Sequence, residues 1–180
     1  MKHLFLFLFG IIVITNLSYS QNFPAGKNAV WLSGLASYSN HSGEIYEDSK
    51  GNSYSSITLS PSINYFVSNK FFIGGNLRLT HQYQGSIDAS SVSIGPLIGL
   101  ELANQQSSVF PYLSVGLSYK ELTYSSSSVS GSDLNLGFGI MMQAASHLGI
   151  AVEFGYHMVT LESHSGSEVE IGVGVAGLFY

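Results

Sequence analysis

Strict alternation of apolar and small or polar residues recurs in eight separate segments of this chain, and period 2 is the signature of strands with one greasy face. In one segment Val92, Ile94, Pro96, Ile98, Leu100 and Leu102 share a face. Further on, Leu134, Leu136, Phe138, Ile140 and Met142 do so, then Leu148, Ile150, Val152, Phe154, Tyr156 and Met158, then Val169, Ile171, Val173 and Val175. The intervening positions are mostly Ser, Gly, Asn or charged. The segments drawn from this pattern are 27–39, 54–67, 70–83, 89–102, 108–122, 131–144, 147–160 and 168–180.

Composition decides which way the greasy face points. Hydrophobic residues make up 45% of the chain and charged residues 9%, far below the roughly 25% usual in soluble domains. After residue 14 no apolar run is long enough for a membrane-crossing helix. Apolar surface in such quantity, placed by period 2, belongs on the outside of a sheet closed on itself and immersed in lipid. The expected fold is therefore all-β, an eight-stranded antiparallel transmembrane β-barrel.

The N-terminus fits an exported protein. Met1-Lys2-His3 is a short basic region, Leu4 to Ile14 is apolar, and Ser18 and Ser20 are small residues suited to cleavage before Gln21. The expected organisation is a signal peptide at 1–20 and one barrel domain at 21–180, in a bacterial outer membrane. No cell-wall-binding module is expected, because the eighth segment runs to Phe179-Tyr180. The chain has no cysteine, so neither disulfides nor thiol chemistry enter. Acidic residues number 11 against 6 Lys and Arg, which argues against nucleic-acid binding.

Connections and aromatics give an orientation. Ser68-Asn69 and Ala145-Ser146 are short links and 103–107 is a little longer, whereas 40–53, 84–88, 123–130 and 161–167 are generally longer and rich in Ser, Gly and acid, as external loops are. Two aromatic girdles are expected. Trp31, Tyr65, Phe66, Phe71, Phe72, Phe110, Tyr112, Phe179 and Tyr180 fall toward the periplasm; Tyr38, Tyr54, Tyr83, Tyr119, Tyr124 and Tyr156 fall toward the outside. Pro61, Pro96 and Pro111 sit within strands and each removes a ladder donor, so a bulge or broken pairing is expected at each.

The stretches LSPSINYFVSNKFFIGGNL (59–77), SIGPLIGLEL (93–102), FPYLSVGLSY (110–119), GFGIMMQAASHLGIAVEFGY (137–156) and the ending IGVGVAGLFY resemble the outer membrane β-barrel family of small porin-like proteins. The resemblance implies an eight-stranded outer-membrane barrel without an assigned activity, and it carries no catalytic residues. Asn64 stands where that family often has Gly.

Charged strand residues are the candidate functional groups. By alternation Arg78, Glu101, Lys120, Asp133, Glu153 and Glu170 face the lumen, with His157 beside Glu153. Lys120, Asp133 and Glu170 are expected near the external end and Glu101 near the periplasmic one. Arg78 and Glu153, both near mid-height, are expected to form an ion pair that plugs the barrel, since eight strands leave room only for side chains. Lumen glycines such as Gly74, Gly99, Gly139 and Gly172 either let the barrel close around large side chains or leave a thin water file. The alternative to a plug is a narrow pore for small solutes.

Other chemistries are weaker fits. A lipid-modifying serine enzyme would draw on His157, Glu162, Ser163, His164, Ser165 and Glu168, but no matching motif is present. Acidic loop residues Glu44, Glu47, Asp48, Asp88 and Glu162, with Glu121 and Glu168 at the rim, suit weak Ca²⁺ binding or solvation, and His41 and His164 are expected to be solvated loop histidines. No cofactor motif occurs, and no catalytic or metal site is assigned. The expected partners are outer-membrane lipids and the barrel-assembly machinery, with the protein a monomer.

Overall fold

The computed structural model describes residues 26–43, 55–84, 87–103, 108–124 and 127–179. The proposed leader, Tyr54, Tyr180 and the loop acids Glu44, Glu47 and Asp48 lie outside them. Eight strands follow in order: β1 (Val30–Ser42), β2 (Ser55–Phe66), β3 (Phe71–Gln84), β4 (Ile87–Glu101), β5 (Val109–Tyr124), β6 (Ser127–Ala145), β7 (Leu148–Leu161) and β8 (His164–Phe179). Each pairs antiparallel with its neighbour, and β1 pairs with β8 from Val30↔Phe179 to Ser42↔Ser167, closing the sheet. Closure leaves no free edge, which is what lets a sheet satisfy its backbone inside hydrocarbon.

Alternation fixes the register, because a one-residue slip would turn every apolar side chain inward. The outward face carries Leu59, Ile63, Ile94, Leu117, Phe138, Phe154, Ile171 and Val175, all exposed. The inward face carries Ser, Gly, Asn and the charges Arg78, Glu101, Lys120, Asp133, Glu153, Glu168 and Glu170. Such an apolar surface would drive aggregation in water and is at home in lipid.

The strands outrun the pattern that revealed them. β6 starts at Ser127 and β8 at His164, four residues before the expected 131 and 168. The segments 123–130 and 161–167, expected to be long loops, are mostly ladder; β7 and β8 are joined by Glu162-Ser163 alone. Alternation ends where lipid ends, but backbone hydrogen bonding does not, so polar serines continue the ladder above the apolar band. The long connection is 43–54, between β1 and β2.

The prolines divide two to one. Between β2 and β3 the register passes from Leu59↔Leu79 to Ser62↔Asn76, so Pro61 has no partner in β3 while keeping Gly34 in β1. Between β4 and β5 it passes from Ile94↔Tyr119 to Leu97↔Gly116, with Pro96 retaining Gly75 in β3. Pro111 breaks nothing: it faces Ile140 in unbroken register. Its carbonyl accepts from the Leu102 N–H at 2.8 Å. Its missing N–H therefore points to where β4 has already ended at Glu101.

Candidate functional site: a closed lumen

Three closures cross the lumen. At the end where β1 begins and β8 ends, Trp31, Phe66, Phe72, Phe110 and Tyr112 are buried with Met141, Ala176 and Leu178. Trp31 meets Tyr112 edge-on at 5.0 Å between ring centroids and Phe72 at 5.5 Å, the geometry aromatic quadrupoles favour. These rings are a floor inside the barrel, which corrects their placement in a lipid-facing girdle. Consecutive aromatics on a strand must split between the faces. Tyr65 and Phe71 point to lipid, as does Phe179, while Phe66 and Phe72 point in. At the other end Tyr38, Tyr119 and Tyr156 do face outward.

Glycine makes room for the floor. A Cβ on Gly99 would lie 2.0 Å from the Phe72 ring, and one on Gly139 would lie 2.2 Å from the Tyr112 ring. These two glycines are the seats of the rings.

Above the floor lies an ionic layer drawn from six strands. Arg78 of β3 donates from Nη1 to Asp133 Oδ2 of β6 at 3.0 Å and from Nη2 to Glu168 Oε2 of β8 at 3.1 Å. Nη2 also donates to Glu170 Oε2. Lys120 of β5 donates from Nζ to Glu168 Oε1. His157 Nδ1 of β7 lies 3.0 Å from Asp133 Oδ1 and 3.2 Å from Arg78 Nη1. That nitrogen can serve only one of the two: protonated it donates to the Asp133 carboxylate, and unprotonated it accepts from the Arg78 guanidinium. His41 of β1 sits with Nε2 2.7 Å from Ser56 Oγ of β2 and Nδ1 3.6 Å from Glu168 Oε1.

Arg78, Lys120, Asp133, His157 and Glu168 are each 3% exposed or less, and Glu170 is 6% exposed. Two permanent cations thus face three carboxylates away from water. Such a layer holds only if every member is satisfied.

Of the lumen residues expected from sequence, Arg78, Lys120, Asp133, His157 and Glu170 meet here; Glu153 and Glu101 do not. The expected Arg78–Glu153 pair is not formed. Arg78 turns to the three carboxylates of β6 and β8, and Glu153 instead accepts from the Tyr112 hydroxyl at 2.6 Å. Glu101 is buried near the floor, its backbone N–H bonded to the Lys70 carbonyl at 2.7 Å. Two members were assigned elsewhere by sequence. Glu168 was placed at the rim, but β8 begins four residues earlier than expected, which carries it into the lumen. His41 was placed in a loop and lies in β1, 2% exposed. In both cases continuing the alternation past the apolar band gives the observed facing.

A third closure caps the other end, where Ala89, Leu122, Val159 and Leu161 pack together with Tyr124 and Val129 against them.

The serine-enzyme residues are not brought together. His157 and Glu168 are buried in the lumen, whereas Glu162, Ser163, His164 and Ser165 are exposed at the β7–β8 turn. Ser163 Oγ lies 3.4 Å from His164 Nδ1. No hydrogen bond from His164 to an orienting carboxylate occurs among the described residues. Nor is any His/Asp/Glu group among them arranged to hold a metal ion.

Solved structures share this architecture. Neisserial surface protein A matches 85% of this chain and 100% of its own, with a TM-score of 0.73 at 18% identity. OprG from Pseudomonas aeruginosa matches 89% and 100%, with a TM-score of 0.57 at 13% identity. The attachment invasion locus protein Ail of Yersinia pestis, in complex with the heparin analogue sucrose octasulfate, matches 85% and 99%, with a TM-score of 0.54 at 16% identity. No curated protein sequence matches the chain. Residues 16–176 match the outer membrane protein beta-barrel domain. With the closed eight-stranded wall and its lipid-ready face, this places the chain in the outer membrane protein β-barrel family, proteins of the bacterial outer membrane.

Proposed function

We propose that this protein is a non-conducting barrel with a structural or interaction role at the cell surface, in which the polar, acidic segment 40–53 takes part. The supporting observation is the triple closure of the lumen by an aromatic floor, a buried ionic layer and an aliphatic cap. A solute would have to displace three packed layers, the middle one at the expense of uncompensated buried charge.

In this reading residues 1–20 are a leader cleaved after Ser20, and residues 21–180 form a monomeric barrel with its termini in the periplasm. Outer-membrane lipids and the barrel-assembly machinery are its partners. The segment 40–53 holds Glu44, Glu47 and Asp48 against Lys50. That balance disfavours a polyanion of the kind bound in the Ail complex and favours a cationic or neutral ligand. Chemistry on lipid is not part of the proposal, because the serine and histidine at the turn lack a bonded acid.

A swelling assay tests the closure. Proteoliposomes carrying the refolded chain should swell in isotonic solutions of small neutral sugars no faster than empty liposomes. Faster swelling would support the second reading, a narrow pore for small solutes, which draws on the polar lining of the lumen between floor and ionic layer.

A further inference from the structure

The lipid face of the barrel is not even. Where the β2–β3 ladder breaks at Pro61 it holds a notch of about 430 Å³, walled by Pro61 and Ile63 of β2, Gly75 and Leu77 of β3 and Ile94 of β4. Ser62 and Asn76 also border it, but their polar atoms bond other wall residues, Ser62 Oγ with Ser33 Oγ at 2.6 Å and Asn76 Oδ1 with Ser118 Oγ at 3.4 Å. A Cβ on Gly75 would meet nothing nearer than the Gly95 carbonyl at 3.5 Å, so the protein leaves this space unfilled.

Down the same two strands Ile73, Tyr65 and Phe71 face lipid. The strands end at the turn 67–70, and the stretch before β1 is tied to it. The Lys27 N–H donates to Asn69 Oδ1 at 3.1 Å, while Asn28 donates from its N–H to the Phe66 carbonyl at 2.8 Å and accepts from the Tyr65 hydroxyl at 3.0 Å. Lys27 and Lys70 are thereby held at one corner of the rim, both exposed. Among the described residues no carboxylate is exposed at this end; Glu101 of β4, next to Lys70, is 3% exposed. At the other end the exposed charged side chains among them are the acids Glu121 and Glu162.

We infer that this corner and the notch together bind one anionic phospholipid, its phosphate at Lys27 and Lys70 and one acyl chain running up the β2–β3 seam into the notch. The reach fits. Five residues separate Lys70 from Gly75, about 17 Å along the strand and about 13 Å of depth at ordinary barrel tilt. One leaflet's hydrocarbon is roughly 15 Å deep. An unfilled notch forfeits dispersion contacts, which a flexible acyl chain supplies. The lysines select the head group, because a zwitterionic lipid brings its own cation to them and an anionic one does not. Glu121 and Glu162 repel a phosphate at the other rim. With the termini in the periplasm, as proposed above, this is the leaflet facing the periplasm. The site lies outside the lumen, so it stands whether or not the lumen conducts.

Native mass spectrometry of the refolded chain, released from detergent micelles holding phosphatidylglycerol or phosphatidylcholine, counts the lipids retained. The expected result is one phosphatidylglycerol, held about tenfold more tightly than phosphatidylcholine. Lys27→Ser combined with Lys70→Ser should remove that preference. Gly75→Leu, placed where a side chain has room, fills the notch and should abolish retention of both lipids while the folded barrel keeps its gel mobility. Equal retention of the two lipids by the wild type, or retention indifferent to Gly75→Leu, overturns the inference. So does a dimer that Gly75→Leu removes, which would give the notch to a second copy of the chain. Retention of lipid A in place of phosphatidylglycerol, when both are offered, would overturn the phospholipid assignment.

Discussion

The floor and the ionic layer close the same lumen by opposite physics. The floor is apolar, and its rings lose dispersion contacts and buried area one at a time. Removal of one ring leaves a cavity that its neighbours partly fill. In the ionic layer Arg78 bonds three carboxylates at once, so its loss takes a donor from Asp133, Glu168 and Glu170 together and leaves Asp133 to His157 and Glu168 to Lys120. A packed plug therefore fails gradually and a charged plug fails as a unit. The ionic layer also supplies specificity that the floor does not, because every strand contributing to it must be in register for the contacts to form.

The largest difference should appear in Arg78→Ala, which leaves uncompensated buried charge and is expected to lower unfolding stability by about 3–5 kcal/mol. Urea unfolding in lipid vesicles measures it. Arg78→Lys should recover less than half of that loss, since an ammonium is a point charge and not a planar fork with five donors. Full recovery would mean that charge alone, not the fork, holds the layer.

Phe72→Ala is expected to cost about 3 kcal/mol, the low end for a buried phenylalanine, because Trp31, Phe66 and Tyr112 can relax toward the space. Phe72 and Arg78 lie six residues apart along β3 and share no partner. Their combined variant should thus be additive to within about 0.5 kcal/mol. Arg78→Ala with Glu170→Gln should instead be strongly non-additive, and additivity there would contradict the account of the layer as one unit.

The smallest effect falls where the floor meets Glu153. Tyr112→Phe keeps the ring and removes the hydroxyl that bonds Glu153 at 2.6 Å. A loss of about 1.5–3 kcal/mol is the usual range for a hydrogen bond to a charged group. A loss well above about 3 kcal/mol would mean that Glu153 depends on this one donor.

Much of this architecture was legible in the sequence because lipid imposes alternation. All eight strands and the inward facing of Arg78, Lys120, Asp133 and Glu170 follow from it. The strand ends did not, since above the hydrocarbon neither face is required to be apolar; Glu168 and His41 were misplaced for that reason. The partner of Arg78 was also hidden. Alternation says which way a side chain points, but height depends on the stagger between strands, and a long guanidinium reaches across the lumen past the nearest acid. The aromatic floor was hidden in plain view, because Tyr65-Phe66 and Phe71-Phe72 each hold one ring for lipid and one for the lumen.

The central claim is that the lumen is shut. Single-channel recording of the refolded chain in a planar bilayer, beside Arg78→Ala and the combined Arg78→Ala, Phe72→Ala variant, tests it most directly. Silence from the wild-type chain and from Arg78→Ala is predicted, since the floor and the aliphatic cap remain when the ionic layer is broken, and any openings should fall in the combined variant, whose last layer is that cap. Steady discrete openings in the wild type would contradict the account and make the lumen charges the lining of a pore.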